Sequence, residues 1–235
     1  MDNLTEFRAG MKNGLPICLG YFAVSFAFGI QAAQIGLSPW QAGLISVTNV
    51  TSAGQFAGLS LIASQGSLAE MALLQLVINL RYLLMSAALS QKLSPSVRTL
   101  PRLIMAYGVT DEIFGVSVTR PGNLNPWFSY GCILISVLGW TGGTAAGASA
   151  GAVLPEILIA ALGIALYGMF IAIIIPPARE QKAAAICVIA SMAASALFFA
   201  LPYLKGISSG MKIIIVTIGA AAFCAKLFPL EEEEP

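Results

Sequence analysis

Three charged side chains within apolar sequence could form a polar site. Asp111 and Glu112 are adjacent in a hydrophobic stretch over residues 102–120, and Arg81 lies within another over residues 68–89. A charged side chain at membrane depth is costly unless it meets an opposite charge or water. We therefore expect Arg81 to meet Asp111 or Glu112 in a polar site between the two stretches.

Two adjacent acids offer two kinds of chemistry. Side chains of neighbouring residues point about 100° apart on a helix, so Asp111 and Glu112 cannot both face one point. One acid could pair with Arg81 while the other faces a cavity, where it could bind a substrate amine or take up a proton. Asp111 and Glu112 are therefore both candidates for proton coupling.

The Arg81 side chain has three interpretations. It could bind a substrate carboxylate, form a purely structural ion pair, or extend to the membrane interface. Thr110 offers a second way to hold an anion, because it could cap a half-helix that starts at Asp111. The first N–H groups of that half-helix would then face the anion.

Neutral polar and aromatic residues supplement these charges. The polar side chains of residues 48–60 could coordinate the backbone of an amino acid, or could form hydrogen bonds only between helices. Phe56 and Phe114 could surround an apolar side chain. The predicted substrate-binding residues are Arg81, Asp111, Glu112, Gln55, Asn79, Thr110, Phe56 and Phe114.

The composition places this site in a membrane protein. Of the 235 residues, 57% are hydrophobic and 10% are charged, whereas a typical soluble domain is about 25% charged. The chain lacks histidine, the commonest metal ligand, and its four cysteines have no metal-like spacing. We therefore predict no metal, no cofactor and no enzymatic activity, and the net charge of +1 gives no reason to expect nucleic acid.

The hydrophobic pattern predicts an all-α integral membrane protein with about six to eight segments, since a spanning helix needs about 20 residues. The segments cover residues 15–35, 40–63, 68–89, 102–120, 127–148, 154–175, 183–204 and 213–228. Segments 40–63 and 102–120 have polar, glycine-containing middles, which are tolerated at membrane depth only against protein or a cavity. We predict that these two segments are broken or re-entrant.

Basic residues near the segment ends support that prediction. Short basic loops stay cytoplasmic, and three basic groups occur, at residues 8–12, 92–102 and 179–182. Three segments separate neighbouring groups, so all groups share one side only if one segment in each interval does not cross. We predict a cytoplasmic N-terminus, with residues 1–13 as an arm, residues 229–235 as an acidic tail, and one transmembrane transporter domain over residues 1–235.

Two further patterns indicate helix ends and helix packing. Ser67 and Glu70 have the spacing of a capping box, so we expect a structural role for Glu70. Small residues recur at every fourth position of one segment, a pattern typical of close helix packing, either within the chain or against a partner subunit. The helix-packing candidates are Gly139, Gly143, Gly147 and Gly151.

The order of motifs over roughly residues 10–120 resembles the AzlC family, the large subunit of branched-chain amino-acid exporters. The residues that carry the resemblance are Gly20-Tyr21, Phe26-Ala-Phe-Gly29, Gly36-Leu-Ser-Pro-Trp40, Ser52-Ala-Gly-Gln-Phe56, Asn79-Leu-Arg-Tyr82, Thr110-Asp-Glu112 and Phe114-Gly115. The resemblance implies export of leucine, isoleucine and valine, with methionine as a further candidate, across a bacterial inner membrane. It also implies a small AzlD-like membrane subunit made as a separate chain.

The site and the resemblance together favour a secondary transporter. No nucleotide-binding signature is present, so an ion gradient, a proton gradient or passive efflux must drive it. Two other classes stay open: a non-transporting scaffold or channel subunit, and an intramembrane enzyme. The enzyme is the weaker, because the chain offers no histidine for a nucleophile and no zinc motif.

Overall fold

The computed structural model describes residues 2–151, 155, 157, 171, 174–175, 178–201 and 206–229. Every regular element in these ranges is an α-helix, as predicted. The helices are α1 (Asn3–Gln34), α2 (Pro39–Thr48), α3 (Ala53–Ala63), α4 (Leu68–Gln91), α5 (Thr99–Tyr107), α6 (Asp111–Val118), α7 (Pro126–Ala150), α8 (Lys182–Ala200) and α9 (Ser209–Leu227). Most of the predicted segment 154–175, and the predicted tail beyond residue 229, lie outside the described residues.

Four helices in the described ranges are long and apolar enough to cross a membrane. They are Asn3–Gln34, Leu68–Gln91, Pro126–Ala150 and Gly210–Leu227. With 32 residues and a rise of 1.5 Å per residue, α1 is about 48 Å long, which exceeds the roughly 30 Å of the hydrocarbon core. The number of crossings, six to eight by sequence, stays a prediction.

Packing divides the chain into two compact units. The first contains Met1–Phe56 and Asn79–Leu162, and the second contains Ala57–Ile78 and Gly163–Pro235. The sequence predicted one domain over residues 1–235 and a separate arm over residues 1–13. In the structure the arm is helical from Asn3 and continuous with the rest of α1.

In the first unit, α1 and α7 pack closely along a line of glycines. A Cβ atom at Gly147 would lie 2.0 Å from Phe26 O, and one at Gly139 would lie 2.4 Å from Cys18 O. Gly29 of α1 makes the reciprocal approach, with a Cβ position 2.1 Å from Thr144 O. The predicted glycine repeat, which we call the glycine ladder (Gly139, Gly143, Gly147 and Gly151), therefore packs within the chain. Helices this close leave no room for side chains at the positions of closest approach.

The ladder extends beyond the predicted residues. On α7, a Cβ atom at Gly143 would lie 2.4 Å from Phe22 O, whereas Gly151 has its nearest neighbours at 3.2 Å or more. Towards the other end, Gly10 approaches Phe128 O and Gly131 approaches Phe7 O, each at 2.0 Å from the Cβ position. These two glycines were not predicted, because Ile135 interrupts the four-residue repeat between Gly131 and Gly139, and Gly10 lies on a different helix.

Segments 40–63 and 102–120 are each divided into two helices. Residues 49–52 separate α2 from α3, and residues 108–110 separate α5 from α6. The Tyr107 hydroxyl at the end of α5 donates a hydrogen bond to Val47 O near the end of α2. The two interruptions are therefore joined through the helices that precede them, while the re-entrant path of either segment stays a prediction.

Both ends of segment 102–120 contact the loop that follows α4. At the start, Arg102 donates to Ser90 Oγ at 2.9 Å and to Val97 O at 3.1 Å. At the end, Lys92 Nζ donates to Val118 O at 2.5 Å and to the carbonyl of Arg120. Arg102 of α5 and Lys92 of the loop thus connect the start of α5 and the end of α6 to the residues around the end of α4.

A partly buried ion pair joins the end of this segment to α1. Arg120 Nη2 lies 2.9 Å and 3.1 Å from the two carboxylate oxygens of Glu6, and its guanidinium carbon lies 4.2 Å from the centre of the Phe128 ring. Glu6 is only 4% exposed. The first turns of α1 are therefore part of the packed structure.

In the second unit, Glu70 has the expected structural role in a different form. Ser67 Oγ accepts the Glu70 N–H at 3.1 Å, which is half of the predicted capping box. The Glu70 carboxylate instead accepts the Met211 N–H at 3.2 Å and a hydrogen bond from the Ser208 hydroxyl. An acid at a helix N-terminus is favourable, so Glu70 joins the starts of α4 and α9.

Candidate functional site

The start of α6 forms one side of the candidate site. Thr110 has an extended backbone, and its Oγ1 accepts the Ile113 N–H at 3.3 Å, so Thr110 caps a helix that begins at Asp111. Gly108, just before the cap, lies against Ile133, whose side chain would be 2.4 Å from a Cβ atom there. The cap residue and the start of the half-helix are those that the sequence predicted.

Arg81 of α4 meets Asp111 of α6. Arg81 Nη2 lies 3.0 Å from Asp111 Oδ2 and also donates to Tyr82 Oη at 3.3 Å. The two charged side chains are 43% and 45% exposed, so the rest of the chain leaves the pair partly uncovered. Arg81 therefore meets an acid of the other stretch, and substrate binding by Arg81 stays a prediction.

Glu112 points to a different partner from that of Asp111, as expected for adjacent residues on a helix. Tyr21 Oη of α1 lies 2.5 Å from Glu112 Oε2 and 2.6 Å from Thr110 Oγ1. A phenol has only one proton to donate. With Glu112 ionised, the phenol keeps its proton and donates its hydrogen bond to the carboxylate. The Thr110 hydroxyl can then donate a hydrogen bond to the phenol oxygen.

Two acids in the first turn of α6 change what its N-terminus can bind. Acidic side chains compensate the partial positive charge at the start of a helix. Asp111 and Glu112 both occupy that turn. A second anion at the same N-terminus is therefore less favourable than the sequence analysis expected, and the turn is better suited to a positively charged group.

Tyr21 is supported by a buried polar network behind it. Its ring packs edge-on against Trp140, with centroids 5.3 Å apart. Trp140 Nε1 donates to Gln55 Oε1 at 2.7 Å, and Gln55 Nε2 donates to Ser46 Oγ at 3.0 Å. Ser46 Oγ in turn lies 2.7 Å from Thr144 Oγ1. The network therefore joins α2, α3 and α7 behind the Tyr21 ring.

The other predicted site residues take part in packing. Gln55 is 2% exposed, and its amide takes part in the network described above, so helix–helix hydrogen bonding is the alternative that its geometry shows. Phe56 packs edge-on against Phe28 at 5.4 Å between ring centres, and Phe114 packs against the cluster that contains Leu89. Substrate contacts of Gln55, Phe56, Phe114 and Asn79 stay predictions.

Tyr21 was not among the site residues predicted from the sequence. Tyr21 stood only among the residues that carry the family resemblance. A tyrosine in the interior of a membrane helix needs a partner for its hydroxyl, and this signal could have indicated a polar site nearby. The identity of the partner depends on how α1 and α6 pack, which the sequence does not show.

These features define a class: an α-helical membrane protein with an accessible ion pair at the start of a broken membrane segment. The family described as "AzlC protein" matches residues 16–154 of this chain. This is more than half of the chain, so the chain belongs to the AzlC family.

Relatives with broad coverage carry membrane-protein names. An "Uncharacterized membrane protein" of Archaeoglobus fulgidus is 34% identical over 172 residues, which is 72% of this chain and 75% of the relative. "Inner membrane protein YgaZ" of Escherichia coli is 29% identical over 216 residues, 87% of each chain. No solved structure gives a significant match.

Proposed function

We propose that this chain is the large subunit of a secondary transporter that exports branched-chain amino acids across a bacterial inner membrane. The substrates would be leucine, isoleucine and valine, with methionine as a further candidate, as the resemblance to this family of exporters implies. The observation that carries the transport proposal is the accessible Arg81–Asp111 pair, with Glu112 beside it, at the start of a broken membrane segment.

An amino-acid zwitterion is chemically suited to this pair. Its carboxylate can bind other N–H groups of Arg81, since the guanidinium has five and Asp111 contacts only Nη2, while its ammonium group contacts Asp111 or Glu112. Every charge then keeps a partner. A ligand with a single charge would leave one protein charge unpaired, which is costly away from water. The site should therefore select zwitterions over simple cations or anions.

The driving force and the partner belong to the same proposal. Asp111 and Glu112 could carry a proton, so coupling to a proton gradient is one option beside another ion gradient and passive efflux. A small AzlD-like membrane subunit would complete the transporter, and the N-terminus would be cytoplasmic. We propose no enzymatic activity for the chain.

Export of leucine from cells loaded with a leucine dipeptide tests the site. Arg81→Gln and Asp111→Asn should each lower the rate about tenfold or more, the size of a lost charged hydrogen bond. Arg98→Gln is the matched control, because Arg98 is an exposed arginine of the neighbouring loop. If both site variants reach the membrane in normal amounts and export like the wild type, the proposed site is wrong.

Reconstitution into liposomes separates a transporter from a scaffold. Labelled leucine should enter or leave only liposomes that contain this chain, either alone or together with the small partner. The effect of a pH gradient on this flux should show whether transport is coupled to protons. A chain that gives no flux under either condition contradicts the transporter. Flux that is the same with the partner alone would instead support the scaffold alternative.

A further inference from the structure

We infer that Tyr21 is a positioning residue that holds Glu112 ready for the substrate ammonium group, while Asp111 serves as the resident partner of Arg81. The inference rests on the proposed function and assigns different tasks to the two adjacent acids. Its evidence is the geometry around the first turn of α6 and the packing behind Tyr21.

The two acids differ in what they already bind. Asp111 is in an ion pair with Arg81 at 3.0 Å. Glu112 uses one oxygen, Oε2, for the hydrogen bond with Tyr21 at 2.5 Å. In the described part of the chain no side chain or backbone group is bonded to Glu112 Oε1. An exposed carboxylate with one fixed oxygen and one open oxygen is well placed to accept an ammonium group.

Tyr21 connects this carboxylate to the cap of its helix. With Glu112 ionised, the hydrogen bonds run from the Thr110 hydroxyl to Tyr21 Oη and from Tyr21 to Glu112 Oε2. Thr110 Oγ1 also accepts the Ile113 N–H. One phenol therefore fixes both the carboxylate and the first turn of α6, which is the arrangement that a positioning residue requires.

The charges around Glu112 come from more than its own helix. Asp111 precedes it on α6, Arg81 and Tyr82 face it from α4, and Tyr21 faces it from α1. Arg81 is closer to Asp111, with which it forms the ion pair. Of these groups, Tyr21 is the one that donates a hydrogen bond to Glu112.

The Tyr21 ring has little freedom to move. It is 9% exposed and packs edge-on against Trp140, which is 1% exposed. Trp140 is in turn fixed by its hydrogen bond to Gln55. This rigid support gives Gln55 a task in the site that needs no contact with substrate. A site is more effective when its side chains are held in place by such packing.

Kinetics of leucine export test the inference. In Tyr21→Phe the KM for leucine should rise about tenfold, as expected for a lost hydrogen bond to a charged group, and the maximal rate should change less. Tyr130→Phe is the matched control, because it removes a hydroxyl from a half-buried tyrosine of α7 and should leave both parameters unchanged. A Tyr21→Phe variant with wild-type KM would overturn the inference.

A double-mutant cycle separates positioning from simple structural support. If Tyr21 acts through Glu112, adding Tyr21→Phe to Glu112→Ala should cause no further loss. An additional tenfold loss in that background would contradict the inference. Competition by 4-methylpentanoate, which lacks the ammonium group, should be equal in the wild type and Tyr21→Phe, and a matching loss for this anion would also contradict it.

Glu112→Asp gives an independent test that leaves Tyr21 in place. The shorter side chain keeps its charge but cannot reach both the phenol and the ammonium position, so it should raise KM like Tyr21→Phe. Wild-type kinetics of Glu112→Asp would overturn the inference even if Tyr21→Phe failed to fold. Absence of leucine export by the wild type would instead refute the proposed function.

Discussion

Arg81 shows how a single charged residue can be assigned a place in a membrane protein. Its position within an apolar helix required a partner, and the structure supplies Asp111 at 3.0 Å and Tyr82 beside it. Exposed ion pairs contribute at most about 1 kcal/mol to stability, and the two side chains of this pair are 43% and 45% exposed. The pair therefore contributes little to the fold, and the proposed function gives Arg81 a second task in binding the substrate.

Exchanging the charges of Arg81 and Asp111 distinguishes a purely structural ion pair from one that binds the substrate. Arg81→Asp combined with Asp111→Arg restores opposite charges at the same two positions but places each charge on the wrong helix. We expect this double variant to reach the membrane in nearly normal amounts, because the ion pair can reform. Leucine export should stay at the level of Arg81→Gln, because the substrate carboxylate and ammonium would meet charges of their own sign.

The matching measurement is membrane abundance and export rate for both single variants and the double variant. A purely structural pair would show recovery of export when the charges are reversed together. Export close to the wild type in the double variant would therefore contradict a role of Arg81 and Asp111 in binding the substrate.

Helices α1 and α7 show what decides close packing between elements. Glycines on both helices let the two backbones approach, and the contact includes Gly29 of α1 with Thr144 of α7. The spacing on α7 was recognisable in the sequence, and the identity of the partner helix was not. A four-residue repeat indicates which face packs closely but carries no information about what packs against it.

Adding one methyl group on that face should destabilise the protein. In Gly147→Ala the new Cβ would lie 2.0 Å from Phe26 O, so α1 and α7 must move apart. We expect a loss of about 1–3 kcal/mol or more in the free energy of unfolding, as for other overpacked contacts. The measurement is thermal or denaturant unfolding of the protein in detergent.

Gly142→Ala is the matched control for this prediction. Gly142 neighbours the same face of the same helix, yet its nearest atom to a Cβ position is Phe22 Cε2 at 4.0 Å, an ordinary contact distance. The control should be as stable as the wild type or slightly more stable, since alanine favours a helix over glycine. Equal stability of the Gly147 and Gly142 variants would contradict the packing described here.

At the scale of the whole molecule, contacts within each unit bear on the path of the chain through the membrane. In the first unit, Arg102 and Arg120, at the two ends of segment 102–120, both contact the loop after α4, and Arg120 also binds Glu6 near the start of α1. In the second unit, Glu70 joins the starts of α4 and α9. The contacts of the first unit bring both ends of segment 102–120 near residues 90–97, and the re-entrant path of this segment stays a prediction.

Labelling of single cysteines by a membrane-impermeant thiol reagent tests this path. In a variant whose four natural cysteines are replaced, Ser96→Cys and Asn123→Cys should both be labelled only from the cytoplasmic side. Gln34→Cys, at the far end of α1, should be labelled only from outside. Labelling of positions 96 and 123 from opposite sides would show that segment 102–120 crosses the membrane.

The sequence by itself determined the helices, the two interruptions, the cap at Thr110 and the presence of charged residues in apolar segments. Each of these depends on residues close together in the chain: hydrophobic runs, glycines, and a threonine before an acidic turn. Local physics is sufficient for them, because helix formation and capping involve only the nearest few residues.

Only the tertiary structure decided that Asp111 rather than Glu112 pairs with Arg81, that Tyr21 contacts Glu112, and that the buried Glu6 pairs with Arg120. These contacts join residues up to 114 positions apart. They depend on the rotation and approach of whole helices, which the close α1–α7 contact helps to set. Rotating α6 about its axis by about 100°, the angle between adjacent residues, would bring Glu112 to the place of Asp111. The sequence pattern does not predict this rotation.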